Sequence, residues 1–193
     1  RHRFAFTGIW GLPVGRGKKF GTDMPGALDA VIGGWQLAGT FTAETGGPFT
    51  VSMNCSAIGS TNNFQNSEYC RPNLTGNPYV SNPHYRSLSA GGCNCIQYLN
   101  ASAFTIPNNT YGNLPRNFLR APGNKSASLG IDKYFPLWGE GRRMQFRAEM
   151  FNPFNWVEWG APHNSITTTP GALGEITSDL GARVVQLGLR LEF

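Results

Sequence analysis

No run of about 18 apolar residues occurs anywhere in this 193-residue chain, which excludes a membrane-crossing helix and says nothing about strands. Charge is scarce as well, at 14% Asp, Glu, Lys and Arg, too little for the solvated faces of a helical enzyme. Its three histidines, His2, His84 and His163, are scattered without metal-ligand spacing. There is no Gly-x-Ser-x-Gly elbow, and Gly15-Arg-Gly-Lys-Lys-Phe-Gly lacks the order of a Walker loop. The residues therefore offer no catalytic, metal or cofactor constellation, and the expectation is a protein that is not an enzyme. The net charge of +5 comes from dispersed basic residues, with Arg16, Lys18 and Lys19 as the dense group in a Gly-rich turn, so no nucleic-acid partner is expected. An N-terminal signal peptide is missing too, as it would be from a mature chain or a fragment.

What is abundant points to strands and turns: 25 Gly, 13 Pro and many Asn, Thr and Ser. Five segments alternate with a period of two, near residues 3–10, 34–45, 126–135, 143–151 and 184–193. In the last, Val185, Leu187, Leu189, Leu191 and Phe193 share one side, and Gln186, Gly188, Arg190 and Glu192 share the other. Phe4, Phe6 and Trp10, then Trp35, Leu37 and Phe41, then Leu129, Ile131 and Phe135, then Met144, Phe146 and Met150 repeat the pattern. Lys133 interrupts one apolar face near its end, where a long side chain could snorkel to an interface. The opposite, wet face carries Arg147, Glu149, Arg190 and Glu192, read as wall-lining ion pairs. Trp10 and Trp35, closing one strand and opening the next, would stand at one level, as an aromatic girdle requires.

The connections alternate in length. Compact turns follow the first and third strands, and long polar loops, 52–123 and 152–183, follow the second and fourth. Barrels that cross an outer membrane connect strands in this way, with short turns inside the cell envelope and long loops outside. The fold expected is therefore all-β: about five antiparallel amphipathic strands of an outer-membrane-type β-barrel, with long outer loops. The first loop has no periodicity and contains Cys55, Cys70, Cys93 and Cys95, none of them in an expected strand. Four cysteines in a polar loop read as two disulfides in an oxidising compartment, with three pairings open. A Cys93–Cys95 bridge would close a very tight ring. Trp156 and Trp159 in the second loop offer flat surfaces that could stack on a ligand.

Particular residues carry a resemblance. Gln186, Gly188, Leu191 and Phe193 resemble the C-terminal signal that the barrel-assembly machinery reads in bacterial outer-membrane proteins. Arg1-His-Arg-Phe with Leu12-Pro-Val-Gly-Arg-Gly, and Gly34-Trp-Gln-Leu-Ala-Gly leading to Gly47-Pro-Phe-Thr-Val, are two further matching stretches. With Arg116-Asn-Phe-Leu-Arg-Ala-Pro-Gly, Phe146-Arg-Ala-Glu-Met-Phe-Asn-Pro-Phe-Asn and Gly174-Glu-Ile-Thr-Ser they are similar to the C-terminal barrel portion of TonB-dependent outer-membrane receptors. The subgroup is the one with a carboxypeptidase-regulatory-like N-terminal domain. The cysteine-bearing segment departs most from that pattern. The resemblance implies a location in the bacterial outer membrane with the long loops extracellular, and TonB-energised uptake of a scarce ligand. Its implied partners are outer-membrane lipid, the rest of the barrel and its plug, the assembly machinery, and TonB through a plug absent from this chain. Five strands cannot close a barrel. The alternative expectation is a released C-terminal fragment that pairs with other copies of itself in an extracellular β-rich fibre or oligomer.

Overall fold

The computed structural model describes residues 2–53, 70–83, 85–86, 94–108, 110–137, 142–166 and 172–193. The chain divides into two compact units, one made of His2–Glu44, Lys125–Glu158 and Gly181–Phe193, the other of Thr45–Asn124 and Trp159–Leu180.

The first unit is a five-stranded sheet. Its strands are β1 (Arg3–Gly11), β2 (Trp35–Glu44), β3 (Asn124–Pro136), β4 (Arg143–Phe151) and β5 (Val184–Glu192), and they lie side by side in chain order. Register is continuous: Phe6 stands opposite Phe41, Ile131 opposite Ala148, and Phe146 opposite Leu189, each in an antiparallel pair. Because the side-chain period is two, this register places every apolar set from the sequence on the same side of the sheet. The strands have nine to thirteen residues, which meets the roughly 9–11 residues a tilted strand needs to cross a bilayer.

That apolar side is bare over much of its area. Leu187, Leu189, Leu191 and Phe193 are 68%, 70%, 53% and 90% exposed, and Phe4, Phe6 and Trp10 are also exposed. A soluble sheet would bury such a surface under a second layer, whereas hydrocarbon accepts it as it stands. The aromatic rings form two groups separated by aliphatic residues. Phe4 and Phe41 stand 6.1 Å apart near the strand ends that lead to the long connections, and Trp35 meets Phe146 edge-on at 6.4 Å near the opposite end. Gly8 lies between these bands, and the Phe6 ring covers it, with a ring atom 3.2 Å from the place a Cβ would occupy.

The β1–β2 connection contains a seven-residue helix, α1 (Gly26–Ile32). A helix this short does not persist alone in water. Pro25 presets its entry, the Asp29 carboxylate accepts from Arg16 N at 2.8 Å, and Gly33 N donates to Asp29 O at 2.8 Å where it ends.

The second unit corrects the expectation of two separate irregular loops. Val51, Met53, Leu99, Phe104, Leu114, Leu119, Ile166 and Leu173 form a buried core drawn from both long connections. It is laced by pairings of only two or three residues. Ser52–Met53 runs parallel to Ser165–Ile166, Pro48–Phe49 pairs with Leu119–Arg120, and Asn73–Leu74 with Phe104–Thr105. Cys95–Gln97 pairs with both Tyr85–Arg86 and Glu175–Ile176. Two-residue strands leave no alternation in the sequence, which is why the region read as structureless. Cys95 thus lies in a strand, contrary to the reading that placed all four cysteines in loop.

Candidate functional site

The sheet's polar side holds the charged residues singled out in the sequence, in two separate clusters. Arg147 reaches Glu149 at 2.7 Å and Asp132 at 3.7 Å, and Gln145 Nε2 donates to the same Asp132 carboxylate at 2.9 Å. Arg190 lies 3.6 Å from Glu192, whose other carboxylate oxygen accepts from Arg143 directly across the β4–β5 pair. Asp132 and Arg143 were missed in the sequence, although Asp132 opposite Arg147 and Arg143 opposite Glu192 follow once the strands are set in register. Three arginines thus face three carboxylates, so these clusters present little net field to an ion or ligand passing over them. The three arginines are exposed and the three carboxylates partly so, which leaves these pairs screened by solvent and weak as contributions to stability.

Lys133 corrects the snorkelling expectation. It is 1% exposed, buried on the apolar side of β3. Its ammonium donates to Val31 O at 2.8 Å and Gly33 O at 2.7 Å, and it stands 4.8 Å from the Trp35 ring centre and 5.0 Å from that of Phe135. The last carbonyls of a helix have no partner within it and carry its negative end, so they suit a cation. Trp35 Nε1 donates to the same Val31 oxygen at 2.9 Å. The end of α1 is therefore pinned over the sheet's apolar face by a lysine and an indole.

Trp156 and Trp159 fall in different units. Trp156 stacks on Phe154 at 4.7 Å and meets Phe41 edge-on at 6.0 Å, with its backbone held from both sides by the Asn152 amide. These partners put its ring with the aromatic band of the apolar face. Trp159 is bridged to Asp179. Gln186 and Gly188 stand on the polar side of β5, Leu191 on the apolar side, and Phe193 follows the last strand residue. Cys70 and Cys95 are both disulfide-bonded and 3% and 1% exposed, whereas Cys55 and Cys93 lie outside the described residues.

In the second unit Tyr79 and Tyr98 meet edge-on at 5.7 Å and clasp one residue between them. Arg120 N donates to the Tyr79 hydroxyl at 2.8 Å, and the Tyr98 hydroxyl donates to Arg120 O at 3.1 Å. Burial, with a smaller contribution from Tyr79, raises the Tyr98 phenol above its ordinary range. Among the described residues no group of three or more His, Cys, Asp or Glu side chains could hold a metal ion, and no helix is long and apolar enough to cross a membrane.

A sheet with one bare apolar face, banded by aromatics, and one ion-paired face is the wall of an outer-membrane barrel. The profile of the family described as "Outer membrane beta barrel domain" matches residues 1–186. The chain belongs to that family. No curated protein and no solved structure matches it. Membership assigns the domain to the bacterial outer membrane, with its apolar strand faces toward lipid.

Proposed function

We propose that this outer-membrane barrel domain is part of a TonB-dependent receptor of the carboxypeptidase-regulatory-like subgroup, and takes part in energised uptake of a scarce ligand. The observation that carries the reading is the five-stranded sheet itself, apolar on one side and charge-balanced on the other, with β1 and β5 each paired on one side only among the described residues. Five strands do not close, so both edges need neighbours. In this reading the remaining strands of the receptor supply them, a plug fills the lumen against the Arg147 and Glu192 clusters, and TonB acts through that plug. The assembly machinery takes hold at Gln186, Gly188, Leu191 and Phe193. The connections 45–123 and 152–183 leave from the outer ends of the strands, where an oxidising surroundings suits two disulfides among Cys55, Cys70, Cys93 and Cys95.

The test is uptake of a panel of labelled scarce nutrients by cells lacking either the parent gene or TonB. Loss of the same nutrient in both strains is the expected result. Loss on removing the gene but not TonB would leave a barrel whose transport is not energised in this way. The open edges also favour a second reading, a released fragment that pairs edge to edge with its own copies. Recovery of a chain of about 21.0 kDa from the medium without detergent, as particles, would support that one instead.

A further inference from the structure

We infer that the β1–β2 connection is an interfacial membrane anchor, with α1 laid along the phospholipid headgroup boundary on the short-turn side of the membrane. The inference rests on the outer-membrane placement of the sheet. Leu28, Val31 and Ile32 are spaced three and four residues apart, so they form one stripe along α1. All three point outward, 44%, 67% and 42% exposed, and Phe20 in the same connection is 56% exposed. Asp29, to one side of this stripe, accepts from Arg16 N.

Two features identify the occupant of this stripe as lipid. First, the C-terminal end of the stripe is tied to the lipid-facing side of the sheet: Trp35 Nε1 and Lys133 Nζ, both on that side, donate to the backbone oxygen of Val31. The helix end is therefore fixed at the depth of Trp35 and Phe135, where aromatic rings mark a membrane interface. Second, the same connection carries the exposed Lys18 and Lys19, and the Lys19 ammonium stands 5.6 Å from the ring centre of the exposed Phe20. The helix itself carries only the acidic Asp29, so it is the connection as a whole, an apolar helix stripe with lysines in the turn before it, that suits a headgroup layer, its cations on lipid phosphates. The buried lysine and the helix need one another. In the membrane boundary the Lys133 ammonium has no water, and the helix carbonyls replace it; the helix in turn is tethered to the wall.

The test uses nitroxide labels on the full-length parent protein, this domain included, reconstituted in phosphatidylglycerol-containing bilayers, at Val31→Cys, with Leu189→Cys as the label for the sheet's lipid face. Relaxation by oxygen, which partitions into lipid, is compared with relaxation by a water-soluble nickel chelate. The expected result is oxygen-dominated relaxation at both positions. Nickel-dominated relaxation at position 31 with oxygen-dominated relaxation at 189 would overturn the anchor and leave the membrane wall intact. Nickel-dominated relaxation at both would overturn the membrane placement and the anchor with it. Because Val31 is an exposed side chain in the structure, the labelled variant does not disturb a core, and the 189 label reports on folding of the sheet independently.

Discussion

Replacing Lys133 by Met removes a cation while keeping a side chain long enough to fill the space between Trp35 and Phe135. Two hydrogen bonds to an ammonium are lost, each contributing about 1.5–3 kcal/mol. The contacts with the two rings add about 0.5–2 kcal/mol apiece. Against this, the wild-type lysine bears a desolvation cost of several kcal/mol that methionine does not. The net loss is therefore about 1–3 kcal/mol, and the geometry places it in the connection rather than in the sheet, because both hydrogen-bond acceptors are backbone oxygens at the end of α1. At about 1.4 kcal/mol per factor of ten, amide exchange across residues 26–33 should accelerate about 5- to 150-fold. The β3–β4 register should keep its protection. Hydrogen–deuterium exchange with peptide-resolved mass spectrometry checks both halves. Unchanged exchange at 26–33, or equal loss of protection in β3 and β4, would refute the view that the lysine serves to clamp the helix.

Gly174 has φ +78°, and a Cβ there would stand 2.2 Å from Leu99 Cβ and 2.7 Å from Leu99 N. Gly174→Ala combines about 1–2 kcal/mol for the left-handed conformation with a backbone overlap, so the loss should exceed about 2 kcal/mol, read as faster proteolytic cleavage within residues 94–108. Tyr98 predicts a pH response. Its phenol is raised in the folded protein above the ordinary 10.0, so the unfolded chain loses its proton first. The stability it adds is complete below about pH 10 and is lost as pH rises through the folded value. Denaturant unfolding followed across that range should show a steeper decline for the native chain than for Tyr98→Phe. Phe193→Ser should reduce recovery in the outer-membrane fraction while leaving the transcript unaltered, and undiminished insertion would remove that residue from the proposed assembly signal.

The sheet was legible because its strands run nine residues or more and one face meets hydrocarbon. Under that condition every second position must be apolar, and the alternation through Phe4, Phe41, Leu129, Phe146 and Leu189 survives in the sequence. The apposition of Asp132 with Arg147 was within reach by the same logic, needing only the register. The second unit was not legible. Its core gathers Val51, Met53, Ile166 and Leu173, with Met53 set against Ile166 by a pairing two residues long, and neither period nor composition marks it. Lys133 misled because a lysine on a lipid face ordinarily extends toward water. Here its ligands come from backbone carbonyls about a hundred residues away, and backbone oxygens carry no residue-specific signature.

The parallel pairing of Ser52–Met53 with Ser165–Ile166 has a consequence for how the surface of this protein can change. Ser52 N donates to Asn164 O at 2.8 Å, Asn164 Nδ2 to Thr50 O at 3.2 Å, and Gln97 Nε2 to Leu173 O at 2.7 Å. The stretches after β2 and after β4 are thus halves of a single folded body. Transplanting either half into a sister barrel would strand hydrogen-bonding groups and core side chains of the other, so only the two exchanged as a matched set should give a folded hybrid.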